Sequence, residues 1–318
     1  MVERMNTITE FCMVCGDKLY ASGLLPSICS GVLCQYQYQE LGVMEGLTTP
    51  RVSAPVLALL LMAFNAASNS GRWKDILTPA PSARNREGLI EEAKRLYKEV
   101  DKKWSFVEGS LDVHHMLGSA MPCASKILES SGNYREFKKS LPNVAAFVEW
   151  LVISNQSYLE LVPKDLNVDF LQTDNQFLFV ADSPAKQAEF DALVKENGGK
   201  TRYLFHGSRQ ENWHSIIRTG LKNMSGTKYQ LVGAVHGAGI YLSNHLQTSF
   251  HYSSRFDERS ISENCQGKKC CMSSLTNGGM TLLAVVEVVD NPEAFRHDQN
   301  TIAVVKEEKW CSIRMLVA

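Results

Sequence analysis

The apolar positions of this chain change their spacing near its middle. Residues 54–64 form an apolar stretch, and residues 56–67 are dominated by Leu and Ala, both strong helix formers. The stretch is shorter than the roughly 20 residues that span a bilayer, so it reads as a buried helix. Residues 67–88, with Gly71, Pro79 and Pro81, read as a connector. A helix is expected over 87–103, where Leu89, Ile90, Ala93 and Tyr97 fall at helical spacing. Residues 111–129 are a weaker helical candidate, interrupted around Pro122. Pro142-Asn143 opens another helix, with Val144, Phe147, Val148 and Leu151 as its apolar stripe.

After Pro163 short apolar runs bounded by turn residues take over. Residues 176–180 read as a strand, and a helix starting near Pro184 ends at Gly198-Gly199. Residues 202–205 read as a strand that delivers His206-Gly207-Ser208. A helix follows over 210–219, with Trp213, Ile216 and Ile217 on one face and Gly220 as its stop. Further strands are expected over 239–242, 281–289, 301–305 and 313–317, the last two as paired end strands. Strands interleaved with short helices give an α+β class. No G-x-G-x-x-G stands between a strand and a helix. Gly233, Gly237 and Gly239 precede a strand, so a dinucleotide-binding Rossmann fold fails on context.

The chain has 318 residues, 44% hydrophobic and 21% charged, which is compatible with a packed core and excludes wholesale disorder. Its 33 Lys+Arg against 34 Asp+Glu give a net charge of −1, without the global positive field of a nucleic-acid binder. Residues 1–10 carry no apolar signal core, and Leu316-Val317-Ala318 is no anchor. A soluble protein, cytoplasmic or nuclear, with no membrane span is therefore expected, and the N-x-S sequences at Asn155 and Asn223 are read as chance.

Nine cysteines, an odd number, argue against a complete disulfide framework. Cys12, Cys15, Cys29 and Cys34 form C-x2-C followed by C-x4-C. Two short pairs joined by a loop suit a structural tetrathiolate Zn2+ site, with Gly16 supplying the first turn. Small buried thiols or disulfides are the alternative.

Three local features carry the candidate chemistry. Phe205-His206-Gly207-Ser208 ends a strand, where an imidazole is fixed and a glycine admits a ligand close to the backbone. Gly237-Ala238-Gly239-Ile240-Tyr241-Leu242 places an aromatic after glycines. Ser249-Phe250-His251-Tyr252 adds a hydroxyl and a second phenol. Each alone also suits ordinary core residues. Together they offer two rings and a hydroxyl to a flat aromatic amide.

In this order and spacing, the three features resemble the diphtheria-toxin-like ADP-ribosyltransferases of the poly(ADP-ribose) polymerase superfamily. The run F-H-G-S, E-N-W-H-S-I-I-R-x-G-L, G-x-G-I-Y-L-S is similar to the small mono-ADP-ribosylating branch. The segment 150–157 and the N-terminal C-x2-C…L-C-Q-Y…E-L-G-V segment look like that branch too. The resemblance implies a C-terminal split β-sandwich transferase domain over 165–318. It would be preceded by a helical subdomain over 81–164 and an N-terminal segment with the four-cysteine cluster over 1–80. The helical subdomain would be regulatory or would only complete the core.

The resemblance also implies NAD+ as substrate and protein acceptors, with modification of this chain itself among them. His206 would bind a ribose hydroxyl and Gly207 the nicotinamide carboxamide, with Ser208 beside them. Tyr241 would line the nicotinamide pocket, and Ser249 and Tyr252 would bind the carboxamide and stack on the ring. The third family position, a Glu in polymer-forming members, falls on Ile302 here, which implies transfer of a single ADP-ribose. Glu307 and Glu308 stand five and six residues later in a turn. Departures are Ala238, where a charged residue is frequent, and a polar insert over 252–280 with Cys265, Cys270 and Cys271. The rival readings are a silent NAD- or ADP-ribose-binding module and a zinc-stabilised adaptor with a vestigial transferase fold.

Overall fold

The computed structural model describes residues 10–12, 14–19, 29, 34, 53–68, 70–77, 87–89, 91–92, 95, 134–153, 155, 158–171, 173–181, 184–227, 235–253 and 281–318. They fall into two units. One holds the described residues up to Asn155, the other those from Tyr158 to Ser253 and from Thr281 to Ala318.

In the first unit, α1 (Ala54–Ser68) realises the Leu/Ala stretch. Residues 56–64 are all at most 6% exposed, so the helix is buried on every side rather than along one stripe. Among the described residues no helix is long and apolar enough to cross a membrane. Helix α2 (Trp73–Ile76) lies within the stretch read as a connector. The described residues among 87–95 are helical, while 111–129 lie outside the described residues. Helices α3 (Tyr134–Ser140) and α4 (Pro142–Ile153) follow. Val144, Phe147, Val148 and Leu151 are buried as the periodicity predicts. Phe64 of α1 meets Phe147 of α4 edge to face at 4.8 Å, a contact that adds about 0.5–1.5 kcal/mol to the burial of both rings.

The start of α4 has Pro142 at its first position, preceded by Leu141, whose side chain has no oxygen to cap with. Glu92, some fifty residues earlier and 2% exposed, takes that role. Its carboxylate accepts from the backbone N–H of Asn143 and of Val144, each at 2.9 Å, and from the Asn143 side chain at 2.6 Å. A buried anion there meets both the free N–H groups and the positive end of the helix dipole.

The second unit is built on one antiparallel sheet of eight strands. These are β1 (Tyr158–Leu161), β2 (Gln176–Ala181), β3 (Thr201–Gly207), β4 (Ile240–Ser243), β5 (Leu283–Val289), β6 (Phe295–Gln299), β7 (Ile302–Val305) and β8 (Cys311–Val317). The order is β1-β2-β8-β5-β3-β4-β7-β6, so the α+β class holds. The β-branched run 281–289 becomes β5, in the middle, with Ala284, Val286 and Val288 fully buried. The sheet already includes Tyr158–Leu161, a stretch that the sequence pattern assigns to the helical segment ending at 164.

The expected pairing of the last two apolar strands is corrected. β7 pairs with β4 and β6, and β8 with β5 and β2. Both runs are apolar enough to be central strands, and apolarity does not choose a partner. Strand β3 pairs with β5 along its whole length, from Thr201↔Val289 to Gly207↔Leu283. With β4 it shares one pair, Phe205↔Ser243. The sheet therefore divides at the β3/β4 junction into five strands and three.

Helix α5 (Pro184–Glu196) is bolted to the sheet by Arg314 of β8. The guanidinium donates to Glu287 at 2.7 Å and Gln187 at 3.0 Å, and lies over the Phe190 ring at 5.1 Å. The helix expected over 210–219 is a 3-10 turn followed by α6 (Trp213–Thr219), stopped at Gly220 with φ of 76°. Helix α7 (Leu246–Tyr252) follows β4.

Replacing Glu92 by Ala strands the buried Val144 N–H and the half-buried Asn143 N–H and is expected to lower unfolding stability by roughly 1–3 kcal/mol in denaturant titration. Glu92→Gln, which keeps one acceptor oxygen, recovers part of the loss. An unchanged midpoint in both variants would contradict the capping role.

Candidate active site

His206 sits at the end of β3, where that strand leaves β4 behind. Its Nδ1 lies 2.9 Å from the backbone oxygen of Tyr241. A carbonyl only accepts, so Nδ1 carries the proton. Burial lowers the imidazole's pKa below the ordinary 6.5 and outweighs the opposing effect of the Tyr241 carbonyl. The ring is neutral at neutral pH, with a free lone pair on Nε2. Trp213, fully buried, meets the imidazole edge to face at 6.4 Å.

The turn after His206 is braced from α6 and the residue before it. Trp213 Nε1 donates to the Ser208 carbonyl at 3.3 Å, and Asn212 Nδ2 donates to Ser208 Oγ at 3.0 Å. The other histidine of this region, His214, has a different setting. Arg218 donates to its Nε2 at 3.0 Å, and both side chains are buried. Burial, then the Arg218 charge, pushes His214 well below 6.5, and burial pulls Arg218 down to about 9.

Gly207 is required by a packing contact that its sequence context does not reveal. A Cβ there would stand 1.8 Å from the Ser249 carbonyl oxygen and 2.7 Å from Ser253 Oγ. The Cβ side of this glycine is filled by α7. Ser249, 3% exposed, donates Oγ–H to the Phe205 carbonyl at 2.9 Å. Ser253 donates to the Leu282 carbonyl at 3.0 Å, fastening the end of α7 beside β5. The Ser249 oxygen retains acceptor capacity.

Tyr241, on β4, is fixed at both ends. Its hydroxyl donates to the Gly237 carbonyl at 2.9 Å and accepts from the His236 N–H at 3.0 Å. Arg296 donates Nε–H to the Ala238 carbonyl at 2.7 Å, and a Cβ at Gly237, with φ of 90°, would meet its Cδ at 2.5 Å. The glycine turn is thereby clamped against the phenol.

Ile302 opens β7 opposite Ser243 of β4, with Tyr241 two residues along opposite Val304. Alternation puts Ile302 and Tyr241 on one face of neighbouring strands. Their placement comes from the β4–β7 ladder, not from β8. The carboxylates that follow in sequence are engaged elsewhere: Glu308 accepts from the Asn223 N–H at 2.9 Å, and Glu307 pairs with Lys309 at 3.0 Å. Tyr252 ends α7, one turn after Ser249, with 55% of its surface exposed.

The fold thus gathers His206, Gly207, Tyr241 and Ser249 around the β3/β4 junction, with Ile302 on the adjoining strand. Trp213, Asn212, Ser253 and Arg296 escape sequence reading as supports. Trp213 is visible as a stripe residue, but its N–H donor role is not. Cys265, Cys270 and Cys271 lie outside the described residues.

The profile of the poly(ADP-ribose) polymerase catalytic domain matches residues 176–313. The mouse protein mono-ADP-ribosyltransferase PARP8 is 29% identical over 321 residues, covering 93% of this chain and 36% of that protein. The human PARP8 matches with the same identity and coverage. The chain therefore spans about a third of the length of these curated relatives. His206, Tyr241, Ser249 and Ile302 all lie within the matched segment, which is similar to the poly(ADP-ribose) polymerase catalytic domain.

Proposed function

We propose that this chain is an NAD+-dependent protein mono-ADP-ribosyltransferase. It moves one ADP-ribose unit from NAD+ to a protein side chain, its own included, and releases nicotinamide. The observation that carries the reading is the His206–Tyr241 hydrogen bond, which joins two motifs 35 residues apart and leaves Nε2 as an acceptor with no partner among the described residues. A ribose hydroxyl can donate to that nitrogen. The Ser249 hydroxyl and the Gly207 backbone, with Ser208 in the adjoining braced turn, are the groups assigned to the nicotinamide carboxamide. Tyr241 walls the ring, and Tyr252, exposed and one turn from Ser249, covers it.

The reaction breaks the bond between the nicotinamide nitrogen and the ribose carbon. Both bonding electrons leave with the pyridinium, which becomes neutral nicotinamide. The sugar passes through an oxocarbenium-like state, and the acceptor attacks its opposite face and loses a proton to solvent. The protein's contribution is orientation of the ribose and exclusion of water. Stacking on the cationic ring adds about 0.5–2 kcal/mol in the bound state. Ile302 has no group to orient or deprotonate a ribose hydroxyl of a first unit, so the product stops at one. The domain is read as a split β-sandwich divided at the β3/β4 junction, with the helical segment before it as a separate subdomain.

Incubation of the purified chain with labelled NAD+ is expected to give covalent label, reduced at least about 100-fold in His206→Ala and in Tyr241→Ala. Gly207→Ala, which drives a methyl into the Ser249 carbonyl, is expected to lose label to a similar extent through misplacement of α7. Binding of NAD+ without transfer would contradict the reading and favour a silent module.

Intact-mass spectra of the modified protein should show additions of single ADP-ribose units on any one site. Ladders of linked units would overturn the assignment of Ile302.

The pH dependence follows from the neutral ring. Activity is expected to be level through neutral pH and to fall on the acid side with a midpoint below 6.5, because protonated Nε2 cannot accept. The same depressed pKa makes folding stability fall as pH drops below 6.5, where the unfolded chain takes up the proton first. Activity rising toward acid would contradict this role for His206.

A further inference from the structure

Far from the transferase chemistry in sequence, the N-terminal cysteines converge. The described residues among 10–19 make a tight hairpin turn. Phe11 bridges Lys18 in antiparallel fashion, and Leu19 N–H donates to the Glu10 carbonyl at 2.7 Å. Inside it, Cys12 N–H donates to the Asp17 carbonyl at 2.8 Å and Gly16 N–H to the Cys12 carbonyl at 2.9 Å. Gly16 has φ of 74°, a conformation that other residues adopt only with strain. The turn presents Cys12 and Cys15 from one knuckle. Cys29 and Cys34 complete a group whose four sulfurs lie within 4.8 Å of one another.

The spacing discriminates between the two uses of such a group. All four cysteines are unbridged, and Cys15 Sγ stands 3.8 Å from Cys29 Sγ. A disulfide needs about 2.05 Å. A tetrahedral ion with bonds of about 2.3 Å to sulfur separates its ligands by roughly 3.8 Å. The donors are all soft sulfur, with no hard oxygen ligand among them, which selects zinc or iron over magnesium or calcium. Cys12 and Cys34 are 2% and 6% exposed while Cys15 is exposed, so the site is sealed on one side and reachable on the other.

We propose that Cys12, Cys15, Cys29 and Cys34 bind one Zn2+ as four thiolates, releasing their protons to solvent. Four protein ligands leave no coordination position for a substrate. The ion is therefore a cross-link that holds the knuckle to Cys29 and Cys34, and takes no part in the reaction at His206. The proposal is independent of the proposed transferase activity.

The full chain, purified under reducing conditions without chelator, is expected to carry about one zinc by elemental analysis. Replacing the metal by Co2+ should give the visible absorption of a tetrahedral tetrathiolate. Cys12→Ser and Cys29→Ser should lose the metal, whereas Cys311→Ser, a buried thiol of β8, and His206→Ala should keep it. If Cys12→Ser does not fold, the wild-type metal content and cobalt spectrum still decide. Wild-type protein with no stoichiometric metal, or with iron in its place, would overturn the proposal.

Discussion

The site depends on how the sheet comes apart between β3 and β4. Two strands that share a single pair leave the next backbone groups facing each other without ladder partners. The Tyr241 carbonyl is such a group, turned toward β3, and an unpaired buried carbonyl is costly. His206 supplies the missing donor with its ring. That one bond closes the fold and sets the chemistry together. It fixes the tautomer, and burial keeps the ring neutral, so the second nitrogen is left as an acceptor at the divergence.

Other contacts at the junction follow the same logic of satisfying the fold with groups that also face the site. Helix α7 presses on Gly207 so closely that no side chain fits, and this contact sets the position of Ser249. The Tyr241 hydroxyl, which closes the His236–Gly237 turn, holds its ring rigid rather than free to swing. Trp213 and Asn212 brace Ser208 and the imidazole from the other side. On β7 the position next to this face is an isoleucine, and the two glutamates that follow it are spent on Asn223 and Lys309.

What the sequence made legible was the strongly patterned part. The Leu/Ala stretch gave α1, the β-branched run gave β5, and the local motifs marked β3, β4 and α7 as the carriers of chemistry. The edge strands β1 and β6 were not legible, because each pairs on one side only and Tyr-Leu-Glu-Leu and Phe-Arg-His-Asp-Gln carry little apolar signal. Pairing was not legible for β7 and β8, since two apolar runs close in sequence suggest a hairpin that the ladder refuses. Long-range devices left no local trace at all. Nothing around Pro142 points to Glu92, and nothing around Gly207 points to the Ser249 carbonyl.

A crystal structure of the protein with bound nicotinamide tests the central claim most directly. The account places the carboxamide against Ser249 and the Gly207 backbone, the ring beside Tyr241, and the His206 Nδ1 still on the Tyr241 carbonyl. Nicotinamide bound elsewhere, or a His206 ring turned away from Tyr241 in the complex, would contradict it.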